Sequence, residues 1–384
     1  MQIALSTLGT FHMFDLAREL HAAQVPAHVF TAYPRFKLRQ EQLPQSCIHT
    51  HPWIHAPYMA WRGRHRLGQT LNQWWERADR LTLDHFVARH MQTFDVLVGM
   101  SGSSLLSGQA IQARGGRYVC DRGSTHIRVQ DALLREEAER WGAPVEAIDP
   151  WVIEREEAEY QQADCITVPS TFNVRSFVSQ GVPAHKIRRL PYGVNLSRFQ
   201  PVSAPAAGRF DMLFVGAVCL RKGVPYLLQA FKQLRHPRKT LTFAGTLAPG
   251  LIDLMERHGL WSSDFRILGH VPQPDLKRLM SESHCLVLPS IEEGLALVQA
   301  QAMACGCPVV ASEHTGSEDL FVDGEHGFIT SARDASVLAD RLQRLADDEA
   351  LRADMGRKAL AHVQSAGGWK AYGQQAMCIY RGLA

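Results

Sequence analysis

Residues 289–312 read PSIEEGLALVQAQAMACGCPVVAS, and the fold class follows from this stretch. The apolar run His284–Ser290 (HCLVLPS) predicts a buried strand that stops at Pro289-Ser290. Glu292, Glu293 and Gly294 then form a turn. Leu297–Cys305, with Ala300, Ala302 and Ala304, predicts a helix closed by Gly306. Pro308-Val-Val-Ala311 predicts the next strand. A carboxylate at the carboxyl end of a strand, followed by a helix N-terminus, marks where open α/β sheets bind anionic ligands.

The chain around this turn has 384 residues, about right for two domains. It is 46% hydrophobic and 21% charged, the composition of a globular protein. A formal net charge of +3 is too mild to imply nucleic acid, and no nucleic-acid partner is expected. The 8 cysteines form no Cys-x-x-Cys pair and read as reduced thiols. The opening MQIALSTLGTFHMF carries no basic leader and is not read as a signal peptide. No stretch reaches the roughly 18 apolar residues needed to span a bilayer. A cytoplasmic chain is expected.

Taken in order, Ile3–Thr7, the Met13–Ala23 helix and Ala27–Ala32 make a β-α-β opening that turns at Gly9 and Thr10. The Gly-x-Gly-x-x-Gly fingerprint is absent, so this turn reads either as a site loop or as a plain connection. Arg35 to Arg89 interleaves Arg35, Lys37, Arg39, Arg62, Arg64, His65, Arg66, Arg77 and Arg80 with Trp53, Tyr58, Trp61, Trp74 and Trp75. Two readings apply: an anionic membrane surface contact, or a solvated face whose tryptophans pack inward. Arg117–Cys120 predicts a strand ending in Asp121-Arg122-Gly123-Ser124-Thr125-His126, a polar cluster dense enough to be a site. His126 can donate to an oxygen near neutrality or cap the following helix.

Ser197–Gly208 has linker composition, and a second alternation of strands and helices follows. Two doubly wound α/β domains facing across a cleft are therefore expected, with bounds 1–195 and 196–366. The last segment, 367–384, is a helix that can pack on either domain. Between the second domain's first strand and first helix lies Val215-Gly216-Ala217-Val218-Cys219-Leu220-Arg221-Lys222-Gly223. Arg221 and Lys222 there read as a diphosphate clamp or as a solvated pair.

Phe214–Phe231 (FVGAVCLRKGVPYLLQAF), Pro289–Ser312 and Thr315–Phe328 (TGSEDLFVDGEHGF) together resemble glycosyltransferase family 4, the retaining nucleotide-sugar enzymes of GT-B fold. Pro191–Pro201 resembles the family's interdomain connection more weakly. The resemblance implies that Glu293 bonds a donor-sugar hydroxyl. It implies that backbone N–H groups near Gly294, Leu297 and Val298 face the diphosphate. Lys222 matches the family's lysine; its arginine position is Ala217, with Arg221 the nearby substitute. Gly216 and the strand end at Val271 would border the base. His126 matches an N-domain histidine that reaches the reacting sugar, and Gly9, Thr10, Asp121 and Arg122 fall on the acceptor side. The family's second glutamate is Gln301 here, which accepts from the ribose without charge, and a family glycine is Ala296. A charged hydrogen bond is worth roughly 1 kcal/mol more than a neutral one, so the exchange costs under about tenfold in affinity.

The implied reaction is retaining, metal-independent sugar transfer from a nucleotide diphosphate sugar, a co-substrate rather than a cofactor, to a glycan or lipid-linked acceptor. The catalytic candidates are His126, Lys222 and Glu293. The rival readings are a nucleotide-sugar epimerase or phosphorylase and a non-catalytic sugar-nucleotide or glycan-binding protein.

Overall fold

The computed structural model describes residues 1–61, 68–145 and 147–383. The first half builds a parallel sheet from β1 (Ile3–Thr7), β2 (Ala27–Thr31), β3 (Ile48–Thr50), β4 (Val96–Met100), β5 (Arg117–Asp121), β6 (Cys165–Val168) and β7 (Ile187–Arg189). Its order is β3-β2-β1-β4-β5-β6-β7. The second half builds another from β8 (Phe210–Val215), β9 (Lys239–Ala244), β10 (Arg266–Gly269), β11 (Cys285–Leu288), β12 (Val309–Ser312) and β13 (Gly327–Thr330). Its order is β10-β9-β8-β11-β12-β13. Strands such as β1, β11 and β12 are buried along their whole length, because helices cover both faces of a parallel sheet. That is why they read as unbroken apolar runs rather than alternating ones.

Strand order reverses between β1 and β4 in the first sheet and between β8 and β11 in the second. Each reversal sends the flanking crossovers to opposite faces and opens a crevice at the carboxyl ends. Between the two sheets the loops after β5 and β6 meet those after β11 and β12, with the loop after β8 beside them.

The linker composition falls between β7 and β8, as the sequence suggests. The last helix, Gly368–Arg381, joins the first domain: Tyr372, Ala376, Met377 and Tyr380 share a core cluster with Leu5, Phe14 and Leu20. The chain therefore crosses back after completing the second sheet. Side chains also cross the other way. Trp141, at the end of the Ile127–Trp141 helix, sits in the second domain's core and meets Tyr226 and His258 edge-on. All eight cysteines are unpaired.

Tyr380 is 1% exposed. Tyr380→Ala is expected to lower unfolding free energy by about 3 kcal/mol, as for other buried aromatic truncations. Urea denaturation checks this, and an unchanged midpoint would contradict docking of the last helix on the first sheet.

Candidate active site

The turn after β11 and the turn after β8 meet because β8 and β11 are hydrogen-bonded neighbours, Met212 pairing with Cys285 and Leu213 with Leu286. Two segments 71 residues apart in sequence thus share one strand end. The Lys222 ammonium donates to the Glu293 carboxylate, and the Ser290 hydroxyl donates to the same group at 3.3 Å. Arg221 lies 3.6 Å from the other Glu293 oxygen and donates to the Glu292 carbonyl at 3.0 Å. Gly223 closes the β8 loop in the left-handed region at φ 68°, where a Cβ would fall 1.8 Å from the Pro289 carbonyl oxygen. Only glycine permits that approach. Burial and the neighbouring Arg221 bring the Lys222 ammonium down to about 8.

The Leu297–Ala304 helix starts directly behind Glu293, and among the described residues no side chain caps its first turn. Its leading N–H groups, Leu297 and Val298, are therefore the uncapped donors of a helix start. Gln301 stands one turn further on, on the same face as Leu297. Gln299 points the other way, donating to the Thr315 carbonyl at 2.9 Å and accepting from Ser317. Beside these loops a cavity of about 270 Å³ is lined by Gly216, Ala217, Gly245, Thr246, His270 and Val271, the ends of β8, β9 and β10. The structure thus brings Gly216, Val271, Lys222, Arg221, Glu293, Gly294, Leu297, Val298 and Gln301 to one end of one sheet.

The first domain's candidates do not converge in the same way. His126, expected as a catalytic candidate or a cap, is placed as a cap: its Nδ1 accepts from the Arg128 N–H at 3.3 Å. Its ring is held 5.0 Å from both Tyr160 and Phe177. Burial lowers it to about 4, so it is neutral near pH 7. It is 3% exposed and packs among buried aromatic side chains of the first domain. Arg122 is likewise consumed inside the domain. It donates to the Thr125 carbonyl at 3.0 Å, to Glu156 at 3.0 Å and to Gln130 at 2.7 Å, bracing the 122–130 segment. Asp121 accepts from the Thr167 hydroxyl at 2.7 Å and pairs with His12 at 2.7 Å. His12 went unnoticed in the sequence because a lone histidine one residue into a helix carries no pattern. The Gly9 carbonyl accepts from Thr31, and Thr10 makes no side-chain cap for the Phe11–Ala22 helix.

The residue that sequence reasoning passed over at the turn itself is Glu292. Its carboxylate is wholly buried and accepts from the first domain: from the Ser124 hydroxyl, the Thr125 N–H at 3.1 Å, the Thr125 hydroxyl at 2.8 Å and the Gln130 amide at 3.1 Å. Burial alone would raise this carboxyl; the Ser124 hydroxyl, Arg221 and Thr125 outweigh it and hold it below the usual range. Flanking contacts continue the interface, with Asp319 accepting from Thr171 at 2.6 Å and Glu318 from Arg175 at 2.6 Å. Gly294 touches the first domain so closely that a Cβ would lie 2.0 Å from the Gly123 carbonyl oxygen. Gly294→Ala is expected to destabilise by about 1–3 kcal/mol, because backbone faces it on the far side. A calorimetric melting curve that matches the parent would contradict this contact.

Residues 9–198 match the Glycosyltransferase Family 4 model and residues 198–362 the glycosyl transferases group 1 model. Among curated proteins, a D-inositol 3-phosphate glycosyltransferase of Arthrobacter sp. is 33% identical over 192 residues, 46% of each chain. A glycogen synthase of Mycobacterium tuberculosis is 28% identical over 242 residues, 62% of this chain and 56% of that protein. The chain thus spans about half the length of these curated relatives. Sucrose-phosphate synthase from Thermosynechococcus elongatus superposes with a TM-score of 0.74 at 23% identity, over 100% of this chain and 99% of that one. HepE of Anabaena, solved in complex with UDP-glucose, superposes over 100% of both chains with a TM-score of 0.73 at 18% identity. These likenesses fix the two-domain GT-B architecture. With the two family models together spanning residues 9–362, the chain belongs to the family 4 glycosyltransferases.

Proposed function

We propose that this chain transfers a sugar from a nucleoside diphosphate sugar to a glycan or lipid-linked saccharide, with retention at the anomeric carbon, in cell-surface polysaccharide or glycolipid synthesis. The observation that carries this reading is the Lys222–Glu293 pair beside the uncapped start of the Leu297–Ala304 helix. The base and ribose would lie toward Gly216, Val271 and Gln301, and the diphosphate against the helix start. An arriving diphosphate would take Lys222 from Glu293. The carboxylate so released would accept from a sugar hydroxyl. Lys222, Arg221 and the helix N-terminus would then balance the leaving charge without a metal ion, in a site built before the reaction begins. In a front-face path the bond from the anomeric carbon to the diphosphate oxygen breaks as the acceptor oxygen attacks from the same side. The acceptor proton passes to the departing phosphate oxygen, and the enzyme supplies no nucleophile. HepE, of the same fold, was solved with UDP-glucose, which supports a nucleotide-sugar donor here.

Residues 1–195 would carry the acceptor, 196–366 the donor, and 367–384 would tie the two. With His126 and Arg122 turned inward, the His12–Asp121 pair is the acceptor-side group nearest in kind to an acid–base dyad. A second reading, a sugar-nucleotide or glycan-binding protein without turnover, draws on Gln301, Ala217 and Ala296 together with the inward His126. Release of free sugar from the donor in the absence of acceptor would count against it.

Membrane contact through 35–89 belongs to the same proposal and would place the chain on the inner face of the cell membrane. Trp53, Trp61 and Trp74 are exposed, 75%, 45% and 65%, as are Met59 and Leu71. Trp75 instead packs inward, stacking on Tyr58 and donating to the Ile54 carbonyl at 3.1 Å. Arg77 is held by Asp149. Arg62, Arg64, His65 and Arg66 lie outside the described residues. No described helix is long and apolar enough to cross a membrane. Sedimentation with anionic liposomes at low salt is expected, weakened by Trp74→Ala. A supernatant that retains all the protein would contradict membrane contact.

Lys222→Ala and Glu293→Ala are each expected to lower transfer at least about tenfold, since each removes a charged contact. A thermal-shift screen of UDP, GDP, ADP and their glucose conjugates should find a stabilising nucleotide, because ligand binding raises stability by mass action. Near-parent turnover in both variants would contradict the donor assignment. Because Lys222 titrates at about 8, its charge is present below that pH and lost above it. Nucleotide affinity in titration calorimetry should therefore fall as pH rises through 8 to 9, and Lys222→Gln should remove that dependence. An unchanged slope in the variant would assign the titration elsewhere.

A further inference from the structure

Glu292 has no part in the donor chemistry above, yet its buried carboxylate is divided between the two domains. Ser124, Thr125 and Gln130 donate to it from the first domain, while Arg221 stands 3.7 Å away in the second. The three donors are neutral. They satisfy lone pairs without cancelling charge, so Arg221 remains the counter-ion. We propose that Glu292 is a positioning residue that couples docking of the 123–130 segment to the cation pair at the donor turn. The inference rests on the reading of Arg221 and Lys222 as diphosphate ligands.

The coupling runs through partner exchange. If the 123–130 segment withdraws, a buried carboxylate loses four hydrogen bonds and must recover them. Lys222 is already paired with Glu293, while Arg221 is already bonded to the Glu292 carbonyl and needs only a small rotation to meet the carboxylate. Undocking therefore draws Arg221 onto Glu292 and away from the diphosphate position. Docking shares the carboxylate with neutral donors and leaves the guanidinium to bind phosphate. The movement reaches Lys222 through the backbone, because the Ile291 N–H donates to the Arg221 carbonyl at 2.8 Å. At the Gly294–Gly123 approach the two turns touch with no room for an intervening side chain, so docking brings backbone against backbone.

Hydrogen exchange on the full chain, without ligand, tests this. The reporters are the amides of Lys222, Gly223 and Ile291, which bond to the carbonyls of Cys219, Leu220 and Arg221 in the second domain. Thr125→Val, in the first domain, should speed their exchange about tenfold while leaving β8 and β11 amides slow. Glu292→Ala should do the same, and the double variant should exchange no faster than the faster single one. Unchanged reporter exchange in Thr125→Val overturns the coupling. A kinetic arm uses UDP-glucose as probe: Thr125→Val should raise its KM about threefold with kcat within about twofold, about 0.7 kcal/mol on donor binding. Faster exchange in Thr125→Val, with no thermal shift of the parent by UDP, GDP, ADP or their glucose conjugates, leaves the coupling in place and removes the donor reading instead.

Discussion

The parallel pairing of β8 with β11 is the constraint on which the rest of the site depends. It aligns the ends of two strands far apart in sequence, so that the loop carrying Lys222 closes onto the turn carrying Glu293. Strand order reverses here, so the two loops border a crevice instead of covering one face. A partly buried ion pair adds little to stability once desolvation is counted. In the proposed function its value is that each member would meet a different part of one ligand, the cation a diphosphate and the anion a sugar hydroxyl.

Two adjacent carboxylates are thereby given separate tasks by their surroundings. Glu293 faces a lysine and can exchange it. Glu292 faces hydroxyls, an amide and a backbone N–H of the other domain, and its carboxyl is held below the usual range because Ser124, Arg221 and Thr125 together outweigh its burial. Separation of roles by environment is how one residue type serves two functions a single peptide bond apart. The interface around them is broad, from Trp141 in the second core to Asp319 on Thr171, so the relative placement of the domains is set by many contacts and read at the site by one.

The fold was largely legible because its signals are local. Buried strands such as Ile3–Thr7 and Cys285–Leu288 are continuous apolar runs, and the turns at their carboxyl ends carry glycine and charge. Three-residue edge strands, Ile48–Thr50 and Ile187–Arg189, are too short and too polar to show a pattern. That Arg221, Lys222, Glu293 and the helix start gather at one strand end was legible for the same local reason, since they lie within two short loops. What escaped was side-chain direction. His126 belongs to the right loop, but the packing of Tyr160 and Phe177, set by distant segments, turns its ring inward. Glu292 was visible as a residue, whereas its partners lie more than 160 residues upstream. The tryptophans of the 35–89 segment divided between both expectations, Trp74 outward and Trp75 inward, because two neighbours on a helix point to different faces.

The most direct test of this account is a crystal structure of the protein with a bound nucleoside diphosphate. The diphosphate should lie against the N–H groups of Leu297 and Val298, with the Lys222 ammonium about 2.7–2.9 Å from a phosphate oxygen and no longer on Glu293. A nucleotide bound elsewhere, with the Lys222–Glu293 pair intact, would contradict the claim that this strand-end turn is the donor site.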